Sequence, residues 1–329
     1  MAHLLYLNNI KFTFGLRMEK KTLSVEEIVK YENELKKAQD DPSKFFTEIL
    51  SLYGKTELSS LLGYFLANAQ DLKLIQLVIK EINNLRDERN IDDLIDFLMT
   101  KTFKDEKDSN EIIYAKTLCI KAISNFKDKR CIPALLYCLN DKHANYKMRL
   151  QAAEALGKIG DKNAVESLIN VVSDENEKSV YVRESAAVAL GMIGDMRAID
   201  PFLTILEAKK NFLDKFTFLK ERVIEALGKI NFTNTDRVIS AFKNALKDDS
   251  PQVRINAMEC LMNSGYENAY DLIKEKLNDK DEEVIKNAVV AMYNLKGKEA
   301  LIEILKDENL PDAAKKEADE IYGEYEEEE

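Results

Sequence analysis

Tryptophan is missing from this chain of 329 residues, histidine occurs twice, cysteine four times, proline five times and glycine 11 times. So little proline and glycine, beside 33% charged and 8% aromatic residues, excludes a loop-rich or low-complexity polypeptide and fits a mostly helical one. No apolar run approaches the ~18 residues that cross a bilayer, and the start lacks a signal peptide with a cleavage site, so a cytoplasmic location is expected. The cysteines, Cys119, Cys131, Cys138 and Cys260, form no CxxC pair and read as small buried apolar residues. Cys131 and Cys138 with His143 would still lack a fourth metal ligand, and no metal or cofactor is expected. There is no GxxxxGKS/T phosphate loop, no HExxH and no GxSxG turn. The abundant carboxylates recur at helical spacing, as a solvated face does, so no acid–base pair stands out. A net charge of −11 repels phosphate backbones, and no basic stripe offsets it.

What is present is repetition. The phrase AEALGKIGD ends at Asp161, AVALGMIGD at Asp195 and EALGKINF at Phe232. The alanine before the leucine marks equivalent positions at Ala122, Ala155, Ala189, Ala226, Cys260 and Ala291, spaced by 33, 34, 37, 34 and 31 residues. A period in this range means stacked supersecondary units, none able to bury its apolar face alone. Such an array grows lengthwise, so one continuous solenoid is expected despite the chain's length.

Each unit carries two helical patterns. Cys131 to Leu139, with Pro133 in its first turn, precedes Lys147 to Ile159, where Ala152, Ala153 and Ala155 permit close packing and Gly157 and Gly160 help end the helix. The pattern recurs at Val165 to Val172 with Val182 to Ile193, at Ile199 to Leu206 with Leu219 to Ile230, at Val238 to Leu246 with Val253 to Met262, and at Tyr270 to Leu277 with Val284 to Leu295; a last helix covers Ala300 to Leu305.

Over about Ile91 to Lys306 these pairs resemble HEAT repeats, in particular the short HEAT-like repeats of phycobilisome lyase subunits. The resemblance rests on the turn aspartates and on the opening of the second helix at Met148-Arg149, Val182-Arg183 and Val253-Arg254. It implies an all-α, right-handed superhelical solenoid, and a hydrogen-bonded ladder in which Asp141, Asp174 and Asp248 join those arginines. Lys220 and Ile285 replace the arginine in two units, where the ladder is expected to break. Two enzymatic relatives of the architecture are disfavoured. Deoxyhypusine hydroxylase demands repeated His-Glu pairs, whereas His3 precedes Leu4 and His143 precedes Ala144; a HEAT-like DNA glycosylase needs a cationic, aromatic groove.

If the small residues face the core, the opposite side of each second helix carries the residues four before, one before and three after the marker. That rule selects Leu118, Lys121 and Asn125, then Gln151, Glu154 and Lys158, then Ser185, Val188 and Met192, then Arg222, Glu225 and Lys229. It ends with Asn256, Glu259 and Asn263, then Asn287, Val290 and Asn294. A lining that is mixed in charge, with an apolar step at Val188 and Met192 and four asparagines at one end, suits a protein or peptide partner; it also matches an ordinary solvated face. A loop edge adds two long turns. Thr100 to Asn110 is strongly charged, and Glu207 to Thr217 interleaves Lys209 and Lys210 with Phe212 and Phe216, which either pack back or recognise a partner.

The ends differ from the array. Residues 1–17 are either an ordered extension or lie upstream of a start at Met18, and Ser24, Glu26 and Glu27 open a helix. Residues 18–90 read as a helical cap or divergent repeats, 91–322 as the array, and 323–329 as a disordered acidic tail. The expected role is a non-catalytic scaffold or adaptor that binds a protein through its inner helix face and one loop edge. The alternative is an accessory subunit or chaperone of a lyase or modification enzyme.

Overall fold

The computed structural model of the protein describes residues 24–46, 50–101, 109–207, 217–230 and 236–328. The expected extension at 1–17 and most of the two long turns, with Lys209, Lys210, Phe212 and Phe216, lie outside these residues. Every element described is helical, and none of the helices is long and apolar enough to cross a membrane. The chain forms two compact units, Met1–Ser167 and Leu168–Glu329.

The first unit begins with α1 (Val25–Asp40), which has the capping box expected from its sequence: the Glu27 N–H donates to Ser24 Oγ, and the Ser24 N–H to the Glu27 carboxylate. There follow α2 (Lys55–Asn68), α3 (Leu72–Leu85), α4 (Ile91–Thr100), α5 (Asn110–Phe126), α6 (Ile132–Asn140) and α7 (Tyr146–Ile159). In α3 the buried residues Leu74, Ile75, Val78, Ile79 and Ile82 form one stripe at helical spacing. Each gains roughly 1.5–3 kcal/mol from leaving water. The stripe packs between α2 and α5, so the segment before the array is itself built of paired helices.

Helix α8 (Val165–Ser173) carries the boundary between the units. The second unit continues with α9 (Val180–Ile193), α10 (Ile199–Glu207), α11 (Thr217–Lys229), α12 (Asp236–Ala245), α13 (Pro251–Asn263), α14 (Ala269–Lys274), α15 (Glu282–Lys296), α16 (Lys298–Lys306) and α17 (Asp312–Glu328). Here α9, α11, α13 and α15 are successive second helices, each packed on the next. They approach closely where the small residues fall: a Cβ on Gly191 would stand 2.8 Å from the Ala226 Cα, and one on Gly228 would strike Cys260 Sγ.

The glycine phrase is the punctuation between units. Gly160 and Gly194 end α7 and α9 in the left-handed conformation, at φ 74° and 69°. The next residue is an aspartate whose side chain accepts the N–H two positions on: 2.9 Å from Asn163 for Asp161 and 3.0 Å from Arg197 for Asp195. Asp87 and Asp128 do the same after α3 and α5, although Arg86 and Lys127 fill the left-handed position there. The resulting short turn aims the chain into the next first helix.

Two sequence expectations change. The ladder does not break at Lys220, because its Nζ reaches Asp248 at 3.1 Å, and the next rung joins Arg254 to Asp279 at 2.6 Å. A flexible ammonium can span the same gap as a guanidinium when one carboxylate oxygen is the target. Arg149 and Arg183 also donate to the end of their own first helix, to the Leu139 and Val172 carbonyls at 2.9 and 3.0 Å. The acidic end does not begin as an irregular tail either, for α17 runs through Glu328. Buried Ala314 and Ala318 anchor that helix, and glutamate, a good helix former, extends it.

Candidate functional site

The selected face is assembled from the second helices. In the first unit it is self-paired: Gln151 Nε2 donates to Glu154 at 2.7 Å on α7, while Lys158 is exposed. On α11 in the second unit, Arg222 and Lys229 both bond Glu225, at 2.9 and 2.6 Å. Burial works to raise the Glu225 carboxyl, but the two cations outweigh it and hold it below the ordinary value. These charges satisfy one another before any partner arrives.

The asparagines divide. Asn256 is a correction: it is buried, its Nδ2 donates to the Glu221 carbonyl at 3.2 Å, and its Oδ1 accepts from Gln252 at 2.8 Å. It ties α13 to α11. Asn287 bonds back to the Glu283 carbonyl at 2.8 Å within its own helix. Both stand four residues before the marker, only about 40° around the helix from the core-facing alanine. Asn263 and Asn294, three after the marker, are exposed. Asn287 and Asn294 meet Glu259 and Val290 at the rim of a shallow groove of about 60 Å³ between α13 and α15, floored by Met258 and Met262.

What the selection missed lies one turn further back. The residue eight before the marker sits about 80° around the helix, inside the same stripe. It is Tyr114 on α5, Tyr181 on α9 and Phe218 on α11, with 50%, 58% and 67% of their surface exposed. Tyr146, beside that position on α7, is 42% exposed. With Val188 half-buried and Met192 open, α9 and α11 carry an exposed apolar row that extends the expected step. Extending the spacing rule by one turn would have found it. Periodicity alone, however, cannot say that the rings stay outside the core.

A cavity of about 320 Å³ in the first unit is lined by Lys30, Glu34, Lys37, Leu52, Tyr53 and Glu57, with Lys30 on Glu57 at 2.5 Å and Lys37 on Glu34 at 2.8 Å. Among the described residues no three metal-ligating side chains gather. Burial pushes the Cys131, Cys138 and Cys260 thiols up to about 12, so at neutral pH they stay protonated and weakly nucleophilic.

Antiparallel helix pairs, close-packed second helices and a capped turn between units define an all-α repeat protein. The family model for HEAT repeats matches residues 106–180, 132–218, 214–294 and 239–318, more than half of the chain. The chain belongs to the HEAT-repeat family. No curated protein matches it in sequence.

Several solved structures are similar. Human deoxyhypusine hydroxylase in complex with glycerol is 18% identical, with 83% of this chain and 97% of that one covered, at a TM-score of 0.36. The CpcE–CpcF complex of phycocyanin lyase from Nostoc is 19% identical, with coverages of 79% and 92% and a TM-score of 0.44. An archaeal HEAT-like repeats protein from Thermococcus onnurineus is 17% identical, with coverages of 74% and 95% and a TM-score of 0.38. At these values the likeness carries nothing about activity.

Proposed function

We propose that this protein is a scaffold that binds another protein through the exposed row on its second helices. The observation that carries this is the pair Tyr181 and Phe218, two rings at one register on adjacent helices, more than half exposed. Large exposed aromatics that recur with the repeat are costly to leave wet, and rings are the residues most enriched at binding hot spots. Asn263 and Asn294 supply hydrogen-bonding groups further along the same helices, and the groove at Met258 and Met262 offers a seat for one apolar side chain. The net charge of −11 favours a partner with basic patches and opposes a phosphate backbone.

The test is the double variant Tyr181→Ser/Phe218→Ser. Surface changes of this kind alter stability by about 0.5 kcal/mol or less, so the melting temperature should hardly move. Partner capture from native extract should fall at least about tenfold, the loss of more than one hot-spot kilocalorie. Undiminished capture by a normally folded variant would refute the scaffold reading.

A further inference from the structure

The groove between α13 and α15 is apolar only on its floor. Met258 and Met262 lie there with Val290 beside them, while Glu259, Asn287 and Asn294 bring oxygen atoms to the rim. Glu259 is exposed and makes no hydrogen bond or ion pair among the described residues. Every lysine and arginine of its own helix and of the two helices packed on it is engaged elsewhere. On α11, Lys220 reaches Asp248, and Arg222 and Lys229 both bond Glu225. Arg254 on α13 joins Asp279. On α15, Lys286 lies 3.2 Å from Glu282, and Lys296 stands 3.6 Å from the centre of the Tyr270 ring. A carboxylate is thus left without a cation at the mouth of an apolar seat, in a molecule whose net charge of −11 already favours basic partners.

The amides meet the same demand. Asn287 donates through Nδ2 to the Glu283 carbonyl at 2.8 Å, which leaves its Oδ1 to accept. Asn294 is exposed, and no bond holds its amide, so it too can present an oxygen. A wholly apolar anchor would fill the floor yet strip water from the carboxylate and give it nothing to bond. The stem of a lysine is as apolar as the methionines beneath it, and its ammonium brings three N–H donors and no acceptor to a rim of three acceptors. Arginine suits the rim less, because its planar fork is matched to one carboxylate taken two oxygens at a time.

We infer that the groove receives a lysine side chain of the partner, with its stem on Met258 and Met262 and its ammonium among Glu259, Asn287 and Asn294. This rests on the scaffold reading above and names the residue by which the partner is held at the groove.

A random-dodecamer phage library panned on the full chain, on Tyr181→Ser/Phe218→Ser and on Glu259→Gln tests the two readings separately. Glu259 is exposed, so Glu259→Gln should melt with the full chain. The expected result is a set of peptides that share a lysine, are enriched on the full chain and are lost on Glu259→Gln; on Glu259→Lys the shared lysine should give way to aspartate or glutamate. In a synthetic peptide from that set, norleucine or Nε-acetyl-lysine in place of the lysine should weaken binding at least about tenfold in fluorescence anisotropy, with arginine between the two. Enrichment that depends on the rings but not on Glu259, or Glu259-dependent peptides in which norleucine binds as well as lysine, overturns the inference and leaves the scaffold reading standing. An absence of peptides that depend on either feature sinks both.

Discussion

Single atoms decide the spacing of the second helices. Gly191 lies where a Cβ would stand 2.8 Å from the Ala226 backbone, and backbone cannot swing aside. Gly191→Ala is expected to cost about 1–3 kcal/mol as the helices part, measured by chemical denaturation. Gly63 is a contrast, since the group in the way is the Asp93 carboxylate, the far end of a side chain that accepts from Asn90 Nδ2 at 3.1 Å. Gly63→Ala should cost clearly less, and equal losses at the two sites would mean that helix approach is not what Gly191 protects. Residue chemistry also explains why the asparagines separated: Asn256 is buried by a bond to the Glu221 carbonyl, whereas Asn294 is exposed.

At the scale of the element, the turns and rungs hold the repeats in register. Arg254 and Asp279 form a rung with only 3% and 7% of their side chains exposed, and Arg254 Nε has no hydrogen-bond partner among the described residues. Removing one partner strands a buried charge, so Asp279→Ala should cost about 3–5 kcal/mol, while Arg254→Met with Asp279→Leu should recover most of the loss. Differential scanning calorimetry of the single and double variants gives the comparison, and a double variant as unstable as the single would deny the rung its electrostatic character. The turn aspartates set the response to acid. Arg89 holds the Asp87 carboxyl below its ordinary value, Arg130 does so for Asp128, and for Asp161 the Asn163 N–H leads, assisted by Lys129. A folded-state value below the unfolded one stabilises fully above the unfolded pKa of about 3.9 and is lost as pH falls through the folded value. The melting temperature should therefore drop steeply below about pH 4, and less steeply in Asp87→Asn/Asp128→Asn, which has given up part of that contribution already.

Across the whole molecule, charge sets how partners arrive. With 59 acidic against 48 basic residues, the field attracts cationic segments, and screening shortens its reach from about 10 Å at 0.1 M salt to about 3 Å at 1 M. Capture of a protein partner through basic patches should weaken as sodium chloride rises, chiefly through a slower association rate in stopped-flow measurements. A salt-independent rate would assign the contact to the rings alone.

Local chemistry and period were enough to read the helices, their order and their family. The Ala-Leu-Gly phrase returns at helix-pair spacing, Ser24 with Glu27 announces a capped start, and the glycines before Asp161 and Asp195 take the left-handed conformation that favours glycine. These signals act within a few residues, so the linear chain contains them whole. The binding face was legible only as a stripe. Whether Asn256 lies under its neighbour, whether Lys220 reaches Asp248, and whether Phe218 stands in water depend on how far adjacent helices approach and rotate. That geometry is set by side chains some 30 positions away in sequence, brought together by packing, and for that reason only the tertiary structure could decide it.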